Sequence, residues 1–492
     1  MEWTRALKYR TLEDVPTEEM ERLTEKVKHA KWRQSFHIQP ISGLLNDPNG
    51  LVYHEGLYHI FYQWHPFGAV HGMKYWYHVT SPDLVNFTQI GPAVKPDTVY
   101  DSHGAYSGSA VIVDNEVKLV YTGNHRTQSW TRVPYQVVST LKGQEAVDKQ
   151  AMIEGPPTGY TEHFRDPKVW YDDKRKSYYI VIGAQRENMT GAIIVYASQD
   201  FNNWHQEGEL KTKYPSFGYM WECPDYFNID GHDIVLFCPQ GVAQHGDRFR
   251  NIYQSGYVMG TLNFDTLELT HDDFNELDHG FDFYAPQTMI GADDERILIG
   301  WMGLPDTTYP TDQDDWAHCL TIPRVLSVQN HRLIQQPIKA LQQLRQSKLQ
   351  ATFDISDQSL MLQQFTGTHY ELNIDVLENA SKGFYMDIRQ SEEEYTRLSY
   401  ESDMQRFTLD RTLSGQLPGQ VDGTTRSVTL SDALYRLQIY VDTSSVEIFL
   451  NDGQAVMTSR IFPKVSSDGI HIHSEGGHVT LDITKYDLKE GQ

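Results

Sequence analysis

Asn-Asp-Pro-Asn-Gly at residues 46–50 places the carboxylate of Asp47 immediately before a proline, at the start of an apolar segment. Two later stretches repeat this arrangement, Arg-Asp-Pro at residues 165–167 and Glu-Cys-Pro-Asp at residues 222–225. In each, an acid stands one or two residues ahead of the proline. Carboxyl groups acting together as acid, base or nucleophile cleave glycosidic bonds. Three acids presented in this way predict a glycosidase.

These stretches belong to a longer repeat. Five units of strand, Asp- or Gly-containing turn and second strand are anchored at residues 48, 109, 167, 224 and 286, so the interval is 57 to 62 residues. Short β-rich units at such a period are typical of a β-propeller, in which each blade is a small sheet and the first strands line a central channel. The sequence therefore predicts an all-β fold built on a five-bladed β-propeller.

A propeller would bring the three acids together although they are far apart in the chain. Asp47, Asp166 and Glu222 lie beside equivalent anchors, so their side chains would meet at one mouth of the channel. The alternative is that each Asp-Pro or Pro-Asp pair only forms a turn, which these residues favour. That alternative is weaker for three pairs at equivalent points than for any pair alone.

The chain divides into four predicted segments. Residues 1–32 are polar and helix-prone, and we expect a short N-terminal helical arm. Residues 33–336 contain the five repeats and form the predicted propeller, and an amphipathic pattern at residues 337–350 predicts a linker helix. Residues 351–492 alternate apolar and polar positions between turns, which predicts a C-terminal β-sandwich. Two large domains also suit a chain of 492 residues.

Composition limits the partners. The chain has 42 basic and 66 acidic residues, a formal charge of −24, which disfavours nucleic acid and anionic membranes. Aromatic residues make up 12%, which suits surfaces that stack on sugars. We therefore expect a small-molecule sugar or sugar phosphate as the partner, with no nucleic acid and no membrane.

The cysteines and histidines predict neither a disulfide framework nor a metal site. The three cysteines have no framework spacing, and Met1–Arg10 lacks the apolar run of a signal peptide, so we expect reduced thiols and a cytoplasmic location. Cys223, beside Glu222, is either a nucleophile or, more simply, a packing residue. His54 and His59 flank a turn between strands and point apart, so no metal and no cofactor is predicted.

The motifs resemble glycoside hydrolase family 32, the β-fructofuranosidases. Residues 46–50, 164–167 and 222–225 are similar to three signatures of that family in the same order, and Tyr-Ser-Gly-Ser at 106–109 resembles a fourth that more usually has Phe. With a C-terminal stretch at residues 445–453, the resemblance spans roughly residues 33 to 485. It implies a five-bladed propeller followed by a β-sandwich, in agreement with the repeat.

The resemblance also implies a retaining, two-step hydrolysis. Asp47 would be the nucleophile, Glu222 the acid and then the base, and the two carboxyls would lie about 5 to 5.5 Å apart. Asp166, the third catalytic acid, would hold fructose hydroxyls, and Arg165 would orient Asp166 and keep it ionised. The residues that the resemblance places against the fructose are Asn46, Gln63, Trp64, Ser107, Arg165 and Trp316.

Residues 301–320 resemble the family members that act on phosphorylated sucrose. The implied reaction is hydrolysis of sucrose 6-phosphate to glucose 6-phosphate and fructose through a fructosyl-enzyme intermediate. The phosphate is carried by glucose, so its ligands should lie outside the fructose pocket. Unphosphorylated sucrose, fructans, fructosyl transfer and a non-catalytic sugar-binding propeller stay open as alternatives. The candidate phosphate ligands, each otherwise a solvated surface charge, are Lys74, His125, Arg126, Arg186, Arg248 and Arg250.

Overall fold

The computed structural model describes residues 2–419 and 422–489, and within them the chain is mostly β. Met1 and residues 490–492, at the ends of the predicted arm and the predicted C-terminal domain, lie outside these ranges. The described residues form seven sheets, numbered here 1 to 7 in chain order. Sheets 1 to 5 have four or five strands each, and sheets 6 and 7 have six. The predicted β character of the chain is confirmed.

The N-terminal segment contains the two α-helices of the described residues. Helices span Arg5–Lys8 and Thr17–Lys28, with a 3-10 turn at Leu12–Asp14 between them. The second helix begins at Thr17 because Pro16 has no backbone N–H and disfavours helical backbone at the residue before it. No helix in the described residues is long and apolar enough to cross a membrane.

Sheets 1 to 3 follow one another along the chain, and nearly all their strand pairs are antiparallel. In spatial order, sheet 1 contains Trp316–Ala317, Gly43–His54, Leu57–His65, Tyr75–Ser81 and Thr88–Val94. Sheet 2 contains Ala105–Val113, Glu116–Arg126, Arg132–Lys142 and Glu145–Glu154. Sheet 3 contains Tyr160–Asp172, Ser177–Arg186, Gly191–Ser198 and His205–Glu209. Each sheet thus contains one of the predicted repeats.

Sheets 4 and 5 complete the series. Sheet 4 contains Met220–Ile229, His232–Gln240, Gly256–Asn263 and Glu268–His271, with Asn275–Glu276 beside the third strand. Sheet 5 contains Tyr284–Ile290, Arg296–Met302, Arg324–Gln329 and Arg332–Pro337, with Cys319–Leu320 beside the second strand. A 3-10 helix at Pro310–Asp314 precedes the short strand Trp316–Ala317, which pairs in parallel with the first strand of sheet 1.

Sheets 1 to 5 pack face to face in a ring. The first strand of each sheet contacts the first strand of the next, and the first strands of sheets 1 and 5 also contact each other. Successive side chains along a strand point to opposite faces of its sheet, so each sheet can pack against both neighbouring sheets. In sheet 3, Ile180 and Ile182 pack in a cluster with Val120 of sheet 2, whereas Val181 packs in a cluster with Val235 of sheet 4. Both faces of such strands are apolar because both are buried.

Sheets 6 and 7 pack against each other through one apolar cluster. In spatial order, sheet 6 contains Arg345–Ser356, His478–Leu488, Tyr370–Asn379, Arg436–Asp442, Ser445–Leu450 and Ala455–Arg460. Sheet 7 contains Ser359–Met361, Gly469–Glu475, Gly383–Gln390, Thr396–Glu401, Arg406–Asp410 and Thr425–Thr429. A 3-10 turn at Asn451–Gly453 joins two strands of sheet 6.

The linker differs from its prediction. Instead of a helix over residues 337–350, a 3-10 helix spans Lys339–Leu344 and the strand Arg345–Ser356 follows directly. Leu341 and Leu344, both buried, lie three residues apart, and this spacing fits the three-residue turn of a 3-10 helix. The two leucines that predict an amphipathic helix are therefore buried by two turns of 3-10 helix.

A buried ionic network joins sheet 6 to the first five sheets. His37 Nδ1 lies 2.7 Å from Asp442 Oδ2, and its Nε2 lies 3.0 Å from Glu447 Oε1. Arg324 Nη2 donates to Glu447 Oε2 at 2.7 Å, and Arg324 Nη1 donates to Asp278 Oδ2 at 3.2 Å. All five side chains are buried. Each charge has an opposite partner, which a charge in a protein interior requires.

Candidate active site

The first strand of each of sheets 1 to 5 contains a β-bulge. Bulges bend a strand and re-aim its side chains, and they also accept proline, which cannot donate to a regular ladder. Three of the prolines that anchor the sequence repeat are therefore bulge residues, and the fourth, Pro48, is the paired residue at which the bulge of sheet 1 ends. The bulges lie between Leu45 and Pro48, Ala105 and Gly108, Arg165 and Lys168, Glu222 and Asp225, and Tyr284 and Gln287.

Three bulges hold a non-glycine residue in left-handed backbone. The φ angle is 66° at Asp166, 47° at Cys223 and 46° at Ala285. Such angles are uncommon outside glycine, and where they occur at a site the surrounding structure has to hold them. The local backbone of sheets 3, 4 and 5 is thus strained where the strands approach one another.

Asp47 sits in the bulge of sheet 1 with its carboxylate partly exposed. Its Oδ1 accepts from Asn46 Nδ2 at 3.1 Å, and its Oδ2 accepts a hydrogen bond from Ser107 Oγ of sheet 2. The thiol of Cys223 lies 3.6 Å from the same Oδ2. Residues from three sheets therefore converge on this one carboxylate.

A chain of polar side chains supports Asp47 from behind. Gln63 Nε2 donates to Ser107 Oγ at 2.5 Å, and Asn46 Nδ2 donates to Gln63 Oε1 at 2.8 Å. Lys74 Nζ closes the chain by donating to Asn46 Oδ1 at 2.6 Å. The structure thus brings together three predicted fructose contacts, Asn46, Gln63 and Ser107. The chain fixes the orientation of both amides.

Lys74 occupies a different place from the one predicted. It was a candidate for the phosphate outside the fructose pocket, but its side chain is buried and holds Asn46. Burial lowers the pKa of Lys74 to about 7, and the nearby Asp47 opposes this shift. Lys74 is therefore part of the wall behind Asp47.

Asp166 is buried at the bulge of sheet 3 and faces sheet 4. Its Oδ2 accepts from the backbone N–H of Cys223 at 3.0 Å, and the thiol of Cys223 lies 3.7 Å away. Asp166 N donates to Thr122 Oγ1 of sheet 2 at 3.0 Å. Because the Cys223 thiol contacts both Asp47 and Asp166, these two acids lie on either side of one sulfur atom. The prediction that they meet is consistent with this geometry.

Glu222 has donors on both carboxylate oxygens. Arg165 donates to Oε1 from Nε at 3.1 Å and from Nη2 at 2.6 Å. Gln240 Nε2 and Tyr284 OH each donate to Oε2 at 2.6 Å. Arg165 is predicted to orient Asp166, yet its Nε lies 3.9 Å from Asp166 Oδ2, so its short contacts are with Glu222. The guanidinium bridges the two acids.

Burial and mutual repulsion act on the acids of sheets 1 and 3. Burial raises the pKa of Asp47, the charge of Glu222 adds to this, and hydrogen bonds from Ser107 and Asn46 oppose it. Burial also raises the pKa of Asp166, against the nearby positive charge of Arg165. Both carboxyls keep their protons to higher pH than an ordinary aspartate.

Two residues that contact Glu222, Gln240 and Tyr284, were not predicted from the sequence. Tyr284 lies just ahead of the fifth anchor at residue 286, so the position equivalent to the other acids was available as a signal. Gln240 ends the second strand of sheet 4 and reaches Glu222 from the neighbouring strand. Its proximity depends on strand pairing, which no local motif encodes.

The two predicted tryptophans lie in packed surroundings. Trp64 is buried and its indole N–H donates to the carbonyl of Ser42 at 2.7 Å. Trp316 is fully buried, with the Arg33 guanidinium 4.7 Å from its ring centre. The structure gives Trp316 no contact with the three acids, so its side chain serves the core in the described chain.

Most of the predicted phosphate ligands are already engaged. Arg186 donates to both oxygens of Glu209, at 2.8 and 2.7 Å. Arg248 lies 3.8 Å from Glu276 and lines a separate cavity of about 490 Å3 between sheet 4 and sheet 7. Arg250 lies 4.0 Å from Asp422.

His125 and Arg126 occupy different surroundings at the end of sheet 2. His125 Nδ1 lies 2.9 Å from Ser102 Oγ. Arg126 donates to the carbonyl of Trp130, at 3.3 Å. Within the described residues, His125 and Arg126 are the two predicted phosphate ligands that have no carboxylate partner and lie outside the wall of the acid site.

The chain is mostly β, and its ring of sheets brings together three carboxyl groups that are each held by hydrogen-bond donors. These are features of a glycoside hydrolase. Residues 37–337 match the family described as Glycosyl hydrolases family 32 N-terminal domain, and residues 340–490 match Glycosyl hydrolases family 32 C terminal. The chain belongs to glycosyl hydrolase family 32. The family resemblance of the sequence motifs is confirmed.

Individual relatives match this chain over more than nine tenths of its length. A sucrose-6-phosphate hydrolase of Staphylococcus xylosus is 51% identical over 490 residues, 99% of both chains. A raffinose invertase of Escherichia coli is 36% identical and covers 92% of this chain and 94% of its own. The solved sucrose-6-phosphate hydrolase of Lactobacillus gasseri superposes with a TM-score of 0.92 at 35% identity and covers 100% of both chains.

Proposed function

We propose that this protein is a retaining β-fructofuranosidase that hydrolyses sucrose 6-phosphate to glucose 6-phosphate and fructose. The observation that carries the proposal is the meeting of Asp47, Asp166 and Glu222 at the bulges in the first strands of sheets 1, 3 and 4. Membership of family 32 and similarity to proteins named sucrose-6-phosphate hydrolases support it. The three free, buried cysteines suit the cytoplasmic location that belongs to the same proposal.

The finer architecture is part of this proposal. Sheets 1 to 5 are the blades of a five-bladed propeller that ends with the strand Arg332–Pro337, and sheets 6 and 7 form a β-sandwich that begins with the strand Arg345–Ser356. Residues 1–32 are a helical arm on the first domain. The ring of first-strand contacts and the apolar cluster between sheets 6 and 7 support this division.

In the first chemical step, a carboxylate oxygen of Asp47 attacks the anomeric carbon of the fructosyl unit. The bond from that carbon to the glycosidic oxygen breaks, and its electron pair goes to the oxygen. Glu222 gives its proton to that oxygen, so the sugar leaves as a neutral alcohol. Asn46 and Ser107 hold the attacking carboxylate in one orientation through their hydrogen bonds.

In the second step, water hydrolyses the fructosyl ester of Asp47. Glu222, now ionised, takes a proton from the water, whose oxygen bonds to the anomeric carbon and displaces the Asp47 carboxylate. Arg165, Gln240 and Tyr284 stabilise the ionised Glu222 between the steps, since all three donate to it. Asp166 accepts from fructose hydroxyls and stabilises the positive charge that develops on the ring.

The substrate is tested by comparing kcat/KM for sucrose 6-phosphate and for sucrose with purified wild-type protein. Charge-assisted contacts to a phosphate are worth about 3 kcal/mol, so we expect a preference of roughly a hundredfold for the phosphorylated sugar. Equal values would replace the proposal by an invertase on free sucrose. Absence of turnover on both, and on fructans, would contradict a hydrolase altogether.

The two roles are tested with Asp47→Asn and Glu222→Gln. We expect Glu222→Gln to lower turnover of sucrose 6-phosphate at least about a hundredfold. A burst of 4-nitrophenol from 4-nitrophenyl β-fructofuranoside should persist, because that leaving group needs no proton. Asp47→Asn should abolish both reactions, and Asp200→Asn, in an exposed turn of sheet 3, serves as the control. A burst from Asp47→Asn would disprove its role as nucleophile.

A further inference from the structure

Three arginines form a group beside the acid site, and two aromatic rings hold them in place. The guanidinium of Arg5, in the first helix, lies 4.2 Å from the ring centre of Trp130, and that of Arg126 lies 5.7 Å from the same centre. Arg132 lies 5.7 Å from the ring centre of Tyr106. Trp130, Arg126 and Arg132 border one hairpin of sheet 2. We call Arg5, Arg126 and Arg132 the arginine cluster.

The cluster adjoins the acid that would protonate the leaving sugar. His163 Nδ1 lies 3.5 Å from Arg132 Nη1 and 3.0 Å from Arg165 Nη1. Arg165 in turn holds Glu222. Burial, together with the charges of Arg165 and Arg132, lowers the pKa of His163 to about 4, so the ring is neutral at pH 7 and accepts from a guanidinium. One imidazole therefore separates the cluster from the machinery around Glu222.

The N-terminal segment completes the group. The ring of Tyr9 packs 5.2 Å from that of Trp130 and 5.9 Å from that of His103. Burial raises the pKa of Tyr9, whereas the charges of Arg126, Arg132 and Arg5 all act to lower it. All three arginines therefore lie close enough to Tyr9 to affect its pKa, although they come from separate parts of the chain. The helical segment brings Arg5 to a surface that sheet 2 forms.

The cluster has unused hydrogen-bond donors. The Nε atoms of Arg126 and Arg132 are buried and have no hydrogen-bond partner. In residues 2–419 and 422–489, none of the three guanidinium groups forms an ion pair with a carboxylate. Acids outnumber bases by 66 to 42 in this chain, and Arg186 is fully paired with Glu209. Three adjacent cations without an anion make a strong site for one.

We propose that the arginine cluster binds the phosphate of the sugar phosphate on the leaving-group side of the site. This inference rests on the proposed function, and it names the residues that select the phosphorylated substrate. Planar guanidinium groups donate in pairs to phosphate oxygens, and three of them supply enough positive charge and enough donors to hold a phosphate dianion. The N-terminal helix supplies one of the three, so that segment takes part in substrate selection.

The test compares binding of glucose 6-phosphate and glucose by calorimetry, alongside the ratio of kcat/KM for sucrose 6-phosphate to that for sucrose. We expect Arg126→Gln and Arg132→Gln each to weaken glucose 6-phosphate at least tenfold relative to glucose and to lower the ratio by a similar factor. Arg5→Gln should have a smaller effect of the same sign, because Arg5 is exposed. Arg22→Gln, exposed on the second helix, is the matched control, and its preference should equal that of the wild-type protein.

Binding of glucose 6-phosphate separates failure of this inference from failure of the proposed function. Wild-type protein that prefers the phosphorylated sugars, with variants that keep the same preference, would overturn the arginine cluster and leave the function in place. Wild-type protein without such preference would overturn the proposed substrate and the cluster together. Unchanged thermal unfolding of the variants shows that any loss is local, and Arg126→Lys should restore part of the preference by keeping the charge.

Discussion

Asp47 and Glu222 differ in the donors that surround them. Neutral groups, the Asn46 amide and the Ser107 hydroxyl, hold Asp47, whereas a guanidinium contacts Glu222. A guanidinium contact stabilises the ionised form that Glu222 must adopt after giving up its proton. The neutral donors orient Asp47 and leave its charge available for attack. At the scale of single residues, the surroundings thus separate two chemically identical groups into two roles.

Cys223 provides a prediction on pH. Burial raises the pKa of Asp47 and of Asp166, so activity that needs both ionised falls, as pH drops, at a higher pH than for ordinary aspartates. The Cys223 thiol is a weak donor to both. In Cys223→Ser a stronger donor favours the ionised carboxyls, so the acid limb of kcat/KM should move to lower pH. Cys223→Ala should move it to higher pH.

The control for this prediction is Cys319→Ser, because Cys319 is buried against Gln34 and Met302. Its acid limb should match that of the wild-type protein. If neither Cys223 variant shifts the limb, then the thiol does not influence the carboxyls, and another group sets the acid side of the profile.

At the scale of elements, the bulges turn a run of regular strands into a site. A bulge places two residues of one strand opposite one of its neighbour, which releases side chains from strict alternation. The second bulge depends on close backbone packing at Gly108. Its amide donates to Asn49 at 3.1 Å, and its carbonyl accepts from Gln287 at 2.7 Å. Sheet 2 is thereby joined to sheets 1 and 5 through one glycine.

Gly108→Ala should therefore disturb both stability and the site. An added Cβ would lie 2.0 Å from the carbonyl oxygen of Val120, which is backbone and cannot move aside locally. We expect a loss of about 3 kcal/mol or more in the free energy of unfolding, as for overpacked interiors, together with lower kcat because Ser107 is displaced. Denaturant unfolding and steady-state kinetics measure the two effects.

Gly143→Ala is the control within the same sheet. Gly143 lies in a turn with φ of 63°, and no atom lies within 4 Å of an added Cβ, so only backbone strain of about 1 kcal/mol is expected. Equal losses in the two variants would show that close packing at Gly108 is not important.

The sequence predicts these elements well where a local cause exists. Four of the anchors are prolines that lie in a bulge or end one, because bulges accept proline, and so the five repeats and the three acids could be located. Gln240 and Arg132 could not, because each lies on a strand other than the first of its sheet and reaches the site through strand pairing. Tyr284 stands at the equivalent position of the fifth repeat but carries no carboxylate. The pairing of Arg186 with Glu209 could not be predicted either, because Glu209 lies across the same sheet.

At the scale of the whole molecule, buried charges join the two parts of the chain. Burial alone would lower the pKa of His37, but the hydrogen bonds and charges of Asp442 and Glu447 outweigh this effect and raise the pKa to about 9. Burial raises the pKa of Asp442, but hydrogen bonds from His37 leave it lowered overall, and the pKa of Glu447 is also lowered. The directions of these three pKa shifts all favour a protonated His37 between the ionised carboxylates of Asp442 and Glu447.

This network predicts how stability depends on pH. The pKa of His37 is raised in the folded state, so its contribution is complete below its ordinary value of 6.5 and is lost as pH rises through about 9. The shift corresponds to about 3 kcal/mol. His37→Gln should therefore be less stable than wild type at pH 6 by about that amount, and the gap should narrow by pH 10.

Chemical denaturation at several pH values measures this gap. His29→Gln, exposed on the second helix, should show a gap near zero throughout. A gap for His37→Gln that stays constant from pH 6 to pH 10 would mean that the imidazole contributes by packing and not by charge.

The parallel strand Trp316–Ala317 determines when the site can exist during synthesis. It completes sheet 1, whose first strand starts at Gly43, so the chain between them has to be made before that sheet is finished. A ribosome that adds about 5 to 20 residues per second needs roughly 14 to 55 s for this interval. Through that time the nascent Asp47 strand lacks both its parallel neighbour and the fifth sheet. Apolar surfaces of the early sheets are therefore exposed to chaperones for most of a translation cycle.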